Sequence, residues 1–216
     1  MDKNQILEAL KKAKESSKRK FNQSIDLIIV LKELDLKKPE NQVETFVQLH
    51  YSKGKKIRVC GLVGAELVEQ SRKAFDTTIL SDEFDMYAKD KKLVKKLASE
   101  HDFFVAQATI MPKVAAAFGR VLGPRGKMPN PKAGCVVPPN ANLAQLSTRL
   151  HTLIRINVKT VSMVQVMVGK EDMKDEEIAD NIMTIYNQLV HALPKEESNI
   201  KRLMIKTTMG KPVAVQ

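Results

Sequence analysis

The hydrophobic pattern of the chain changes twice along its length, and these changes restrict its fold more than any other feature. Residues 57–63 (IRVCGLV) form an apolar run typical of a strand buried on both faces of a parallel sheet. From there to about residue 153, strand and helix patterns alternate, which indicates an α/β unit with crossover helices. The flanking segments have a different pattern, in which amphipathic helices accompany strands that follow one another directly.

The simplest topology that accounts for both changes has two domains. We predict a discontinuous α+β domain, split β-α-β-like, from residues 1–54 plus 156–216, and an inserted Rossmann-like α/β domain from residues 55–155. Two crossings between the domains predict a hinge. In the discontinuous domain we expect helices over 4–18 and 175–193, and strands over 24–32, 44–50, 155–160, 162–169 and 201–210.

The predicted elements of the inserted domain follow the alternation. After the strand at 57–63 we expect elements over 65–75 (helix), 77–81 (strand), 86–100 (one lysine-rich helix), 102–108 (strand), 112–121 (helix) and 142–153 (helix).

For the helix of the discontinuous domain at 175–193, Asp175 is the expected N-cap. Its expected buried stripe is Ile178, Ile182, Tyr186, Leu189 and Leu193.

Charge is distributed unevenly along the chain. The net charge is +11, and residues 103–170 contain nine cations and no acidic residue. The segment 198–216 has the same bias, with four cations and no acid. Solvated surfaces usually mix the two signs because neighbouring opposite charges stabilise one another. Two long acid-free regions therefore indicate a polyanionic partner.

Several classes of protein do not fit the sequence. No apolar run is long enough to span a bilayer, and the N-terminus lacks the apolar centre of a signal peptide, so we expect a soluble cytoplasmic protein without a membrane partner. Cys60 and Cys135 are too few for a disulfide framework and are expected to be buried small hydrophobes. The four histidines have no metal-ligand spacing, so we predict no metal and no cofactor.

The segment 119–137 (GRVLGPRGKMPNPKAGCVV) could hold either the phosphates of a nucleotide or a nucleic-acid backbone. A phosphate-binding loop would need glycine where Val121 stands and a hydroxyl where Met128 stands. Three prolines in the segment also remove backbone N–H donors. Because no other catalytic motif is present, we predict that the chain is not an enzyme. A nucleotide-binding enzyme on the Rossmann-like domain is the remaining alternative of that class.

Two segments combine cations with groups that contact RNA sugars and bases. The first, 18–24 (KRKFNQS), leads from a basic cluster to Phe21, which could instead be a core residue that closes the first helix. The second, 206–212 (KTTMGKP), places hydroxyls, a thioether and a glycine at the end of a strand. It could also be only a C-terminal strand followed by a tail.

The sequence resembles one known family over nearly its whole length. The segments LGPRGKMPNPKAG (122–134), KFNQSIDLIIVLK (20–32) and TTMGKP (207–212) resemble the universal large-subunit ribosomal stalk protein, the ribosomal protein L-one family. DFFVAQATIMPKV (102–114) and LKKPEN (36–41) resemble its archaeal form. One departure is LHYSKGK (49–55), where archaeal members usually have Leu-Pro-His-Gly-x-Gly-Lys.

The resemblance implies a structural protein of the large ribosomal subunit, cytoplasmic and ribosome-associated, and monomeric when free. Members of this family bind large-subunit rRNA, form the mobile stalk beside the exit site, and assist the release of deacylated tRNA. Many also repress translation of their own operon by binding an mRNA mimic of the rRNA site. The alternative function is that of a mainly free RNA-binding translational repressor.

The resemblance also implies which residues contact RNA. On the discontinuous domain they are Lys20, Phe21, Ser24, Lys206, Thr208, Met209 and Gly210. Phe21 would pack on a ribose or base, while Thr208 and the backbone of Gly210 would reach sugar and phosphate oxygens. In the inserted domain the cationic loop residues are Arg125, Lys127 and Lys132. We expect them either to face a polyanion such as exit-site tRNA or to stabilise the domain interface.

Overall fold

The computed structural model describes residues 2–17, 19–38 and 41–215. The α-helices in these ranges are α1 (Lys3–Glu15), α2 (Val68–Ala74), α3 (Phe84–Lys89), α4 (Lys91–Glu100), α5 (Met111–Leu122), α6 (Leu143–Thr152) and α7 (Asp175–Ala192). The strands are β1 (Ser24–Leu31), β2 (Val43–Gln48), β3 (Val59–Val63), β4 (Thr77–Leu80), β5 (Phe103–Gln107), β6 (Val136–Val137), β7 (Leu153–Val158), β8 (Met163–Lys170), β9 (Ile200–Thr207) and β10 (Val213–Ala214).

The chain divides into two compact units, one of Met1–Lys55 with Thr152–Gln216 and one of Lys56–His151. The predicted fold class, an α+β domain interrupted by an α/β domain, is confirmed by the two types of sheet described below. The predicted junction between residues 155 and 156 would fall inside β7. The predicted domain boundaries therefore stay a prediction.

The first unit is built on an antiparallel sheet of order β10-β9-β1-β8, with β2 and β7 forming a separate two-stranded sheet. In β1 every second side chain is buried, as expected for a strand with one face against the core. Helices α1 and α7 supply the opposite side of that core, through residues such as Leu10 and Ile182.

Helix α7 differs from its prediction in two details. Its N-cap is Lys174 rather than Asp175, whose carboxylate lies in the first turn and accepts a hydrogen bond from Lys14 Nζ at 2.6 Å. Tyr186 is only partly buried, whereas Ile185 is fully buried within the core. Because α7 contacts β2, β8 and α1, it buries a broader stripe than one residue per turn, which explains the added isoleucine.

The second unit contains a parallel sheet of order β4-β3-β5-β6. All five residues of β3 are buried, as its apolar run predicts. The single helix predicted over 86–100 is wrong, because α3 ends at Lys89 and α4 begins at Lys91. Asp90 separates them in an extended conformation, and its side chain accepts a hydrogen bond from the backbone N–H of Lys92 at 2.8 Å.

Both cysteines are buried free thiols, as predicted. Burial raises the pKa of Cys60 to about 12 and that of Cys135 to about 11. Thiols that stay protonated at neutral pH are weak nucleophiles and weak metal ligands. Within the described ranges, no helix is long and apolar enough to cross a membrane.

Candidate nucleic-acid interface

The candidate RNA-contact residues of the first unit gather at one end of its four-stranded sheet. Ser24 begins β1 and Thr208 directly follows the end of β9, so residues 184 positions apart in sequence become neighbours. The backbone N–H of Thr208 donates to the carbonyl oxygen of Ser24 at 3.0 Å. The Thr208 hydroxyl donates to the same carbonyl at 3.1 Å and accepts from the Ser24 N–H at 3.2 Å.

These bonds limit what Thr208 can offer a ligand. A threonine hydroxyl has one proton and two lone pairs, and here the proton and one lone pair are already used. The remaining lone pair lies on an exposed residue. Thr208 can therefore accept a hydrogen bond from a ribose 2′-hydroxyl, but it cannot donate to phosphate without breaking its bond to Ser24.

The turn after Thr208 is held by further backbone bonds. The N–H of Gly210 donates to the carbonyl oxygen of Thr207 at 3.0 Å, and the N–H of Met209 donates to Gln23 Oε1 at 3.2 Å. A Cβ at position 210 would lie 2.3 Å from Thr207 Oγ1 and 3.1 Å from Ser17 Cβ. Only glycine fits this turn without a shift of its neighbours.

Two apolar side chains project into solvent beside this network. Phe21 is 56% exposed and Met209 is 59% exposed. The alternative in which Phe21 closes the first helix as a core residue is therefore wrong. An exposed aromatic ring and a flexible thioether near bonded backbone can stack on bases and pack on ribose.

The cations near these side chains differ in their surroundings. Arg19 and Lys20 are exposed, whereas Lys206 is half-buried on β9, directly opposite Asp26 of β1. Burial raises the pKa of the Asp26 carboxyl, and the nearby Lys206 charge acts in the opposite direction. The ammonium group of Lys206 therefore lies near the Asp26 carboxyl. Lys18, the first residue of the predicted basic cluster, lies outside the described residues.

The predicted loop residues of the second unit have partners within that unit. Arg125 Nη1 donates to the carbonyl oxygen of Lys95 at 3.2 Å and to Ser99 Oγ at 3.0 Å. Lys127 Nζ donates to the carbonyl oxygens of Ala98 and His101, at 2.8 and 2.7 Å.

The two carbonyls bound by Lys127 lie at the C-terminal end of α4, where helices leave carbonyls unpaired and cations interact favourably with the helix dipole, whereas Arg125 contacts the last two turns of the same helix. The cationic loop therefore caps a helix of its own unit. Lys132 is different, because its side chain is exposed on a short turn beside Asn130. Of the three predicted loop cations, it has the surroundings that best suit an external polyanion.

The nucleotide-enzyme alternative can be examined at the edge where doubly wound sheets bind ligands, outside the carboxyl ends of the strands that flank the switch in strand order. In the second unit these strands are β3 and β5. Buried Gln107 closes this edge, since its Oε1 accepts from the Gly64 N–H at 3.0 Å and its Nε2 donates to Glu66 Oε2 at 3.2 Å. The carboxylate of Glu66 at this edge would also repel a bound phosphate.

Sequence reasoning missed the residue that joins most of the first unit's interface. Gln23 is buried and contacts segments from both halves of the chain, yet it is not among the residues predicted from the sequence to contact RNA. The alternation of β1, extended back by one residue, is the signal that could have placed its side chain inside. Across the described part of the chain, no cluster of three or more His, Cys, Asp or Glu residues is arranged to hold a metal ion.

Comparison with known proteins agrees with this geometry. The model of the ribosomal protein L1p/L10e family matches residues 10–211. Large ribosomal subunit protein uL1 of Methanothermococcus thermolithotrophicus is 43% identical over 217 residues, with 100% of both chains covered. The uL1 of Methanocaldococcus jannaschii is 40% identical, covering 100% of this chain and 97% of its own. That of Nanoarchaeum equitans is 41% identical, with 97% and 98% covered. The archaeal-type resemblance is confirmed, and the chain belongs to the ribosomal protein L1p/L10e family.

Proposed function

We propose that the chain is a structural constituent of the large ribosomal subunit, cytoplasmic and ribosome-associated, and that it binds large-subunit rRNA through the first unit. The observation that carries this proposal is the exposure of Phe21 and Met209 beside backbone that is already hydrogen-bonded. The relatives named uL1 belong by name to the same subunit. This role is structural rather than enzymatic.

In the proposed complex, the apolar and charged groups have separate tasks. Phe21 and Met209 pack on bases or riboses, which is a contribution that depends little on salt. Lys20 and Arg19 contact phosphates and release counterions, so their contribution falls as salt rises. Thr208 accepts from a 2′-hydroxyl, and Gly210 keeps the turn that carries Thr208 and Met209 packed against Thr207 and Ser17.

The remaining parts of the proposed function concern the assembled ribosome and the mRNA. The protein forms the mobile stalk at the exit site and assists release of deacylated tRNA, with the exposed side chain of Lys132 as the loop cation for a tRNA contact. It also represses translation of its own operon by binding an mRNA mimic of the rRNA site. Outside the ribosome it is a monomer.

The central test measures binding of the full chain to transcribed large-subunit rRNA from the same organism, at several salt concentrations. Phe21→Ala should weaken binding with little change in the slope of log K against log salt. Lys20→Ala should reduce that slope by about 0.7–0.9, the value for one phosphate contact. Equal effects of both substitutions on the slope would contradict the assignment of Phe21.

A matched pair of methionines controls for exposed apolar area. Met209 is 59% exposed in the first unit, and Met86 is 53% exposed in the second. Met209→Ala should weaken rRNA binding, whereas Met86→Ala should not. If both substitutions weaken binding equally, the interface is not confined to the first unit.

Two further measurements address the wider function. If the chain is stoichiometric in salt-washed large subunits, the ribosomal role holds, and if it is absent there, the free-repressor alternative is favoured. Crosslinking in cells followed by sequencing of the bound RNA would identify rRNA, tRNA and mRNA contacts together. Recovery of rRNA without any mRNA from its own operon would refute the proposed repression.

A further inference from the structure

Gln23 is almost completely buried, at 1% exposure, immediately beneath the candidate interface of the first unit. Its side-chain Nε2 donates to the carbonyl oxygen of Ser17 at 2.5 Å, just beyond the end of α1. Its Oε1 accepts from the N–H of Met209 at 3.2 Å. Its own carbonyl oxygen accepts from the N–H of Glu171 at 2.9 Å, directly after β8. One residue thus joins three segments that are far apart in sequence.

The chemistry of these bonds requires an amide. Ser17 offers a carbonyl, which can only accept, and Met209 offers an N–H, which can only donate. A neutral side chain of this length that donates at one end and accepts at the other is glutamine. A carboxylate would satisfy Met209 but would place a negative oxygen against the Ser17 carbonyl. An apolar side chain would remove the partner of the Ser17 carbonyl, which is buried, and that of the Met209 N–H, which is partly buried.

The position of Ser17 matters as much as that of Met209. Ser17 lies beneath the turn, where a Cβ at Gly210 would meet its Cβ at 3.1 Å. A shift of the α1 end would therefore change the support under Gly210. Through its two side-chain bonds, Gln23 fixes both the support and the turn that rests on it.

We propose that Gln23 is a positioning residue for RNA binding, which holds Met209 and the 208–210 turn in place without touching the RNA. This inference rests on the proposed rRNA-binding function of the first unit. Because a preorganised surface loses less conformational freedom on binding, loss of the two bonds should lower affinity. The salt dependence should not change, since no phosphate contact is removed.

The test compares Gln23→Met and Gln23→Glu with the control Gln42→Met in the full chain. Gln42 lies in the same unit, and its Nε2 also donates to the carbonyl six residues before it, that of Leu36, at 3.0 Å on the surface. For Gln23→Met we expect binding to the transcribed rRNA about 10-fold weaker, with an unchanged salt slope. Hydrogen exchange of the Met209 amide should become faster. Gln23→Glu should keep that amide protected and lose less affinity, and Gln42→Met should resemble the wild type.

The outcomes separate this proposal from the function on which it rests. If the wild type binds rRNA and Phe21→Ala weakens binding, but Gln23→Met changes neither affinity nor Met209 exchange, only the positioning proposal is refuted. If the wild type does not bind rRNA, the proposed function fails and the positioning proposal fails with it. Should Gln23→Met not fold, Gln23→Glu decides. The proposal is refuted if Gln23→Glu binds rRNA with wild-type affinity, or if its Met209 amide loses protection from hydrogen exchange.

Discussion

Replacement of Gly210 by alanine provides a sharp test of the turn geometry. The new Cβ would lie 2.3 Å from Thr207 Oγ1 and 3.1 Å from Ser17 Cβ, whereas ordinary contacts begin at 3.4 Å. Either the turn that contains Gly210 or the core residues beneath it must therefore move by about 1 Å. Thr207 cannot move easily, because it is fully buried at the end of β9 and pairs with Ile25. Gly210 is not among the glycines with positive φ, so the cost is steric rather than conformational.

The expected loss of stability depends on whether the core or the turn moves to accommodate the new Cβ. If the core yields, overpacking should lower the free energy of unfolding by about 1–3 kcal/mol. For a chain of this size, each kcal/mol corresponds to a decrease of about 2–4 °C in Tm. If the turn yields instead, Tm should change little, but Met209 should be displaced and rRNA binding should weaken. We expect at least one of the two effects, measured by thermal unfolding and by rRNA titration.

Gly119→Ala is the matched control, because nothing lies within 4 Å of a Cβ at that position of α5. Alanine in a helix interior should stabilise the chain by about 0.5–1 kcal/mol relative to glycine. A Gly210→Ala variant with wild-type Tm and wild-type rRNA affinity would refute the described packing of the turn. A destabilised Gly119→Ala variant would contradict the open space described beside Gly119.

Three other predictions test the remaining structural conclusions. Gly61→Ala would place a Cβ 2.4 Å from a buried serine hydroxyl, so we expect about 1–3 kcal/mol of destabilisation in urea unfolding with rRNA binding retained by the folded protein. Lys127→Met should destabilise by about 1–2 kcal/mol through loss of its bonds to the end of α4, whereas Lys132→Met should not, and equal Tm values would contradict this distinction. The hydrogen bond from Lys159 lowers the pKa of Glu44 from its ordinary 4.5, so its stabilising contribution is complete above about pH 4.5 and is lost as pH falls through the lowered value. Glu44→Gln should therefore reduce stability at neutral pH but less in acid, and a constant difference across pH would contradict the ion pair.

The periodic elements of the fold could be predicted from sequence because their patterns are local. The alternation of β1 and the fully apolar β3 each reflect one repeated environment, so the spacing of apolar residues is sufficient. The two-residue strands β6 and β10 were missed, since they are too short to have a period. The break between α3 and α4 depends on one side chain, Asp90, which also fits the surface of a continuous helix.

The candidate interface was only partly predictable, for a different reason. The resemblance pointed to Phe21 and Met209, but only the fold shows that both side chains are exposed. Gln23 bonds to a residue 186 positions away, and no local pattern contains that information. Charge was misleading for Lys127, because an acid-free segment does not reveal that the partners of a cation are carbonyls at a helix end.

The bonds within the candidate interface determine how binding energy can arise there. The backbone N–H groups of Thr208, Met209 and Gly210 all donate within the protein, so none of these three is left for RNA phosphates. Affinity must then come from exposed side chains over a fixed backbone, with apolar packing by Phe21 and charge from Lys20. These two contributions respond differently to salt, because only the second releases counterions. Since the backbone needs little ordering on binding, the apolar part is available without a large entropic penalty, and it should remain as a salt-resistant fraction of the affinity.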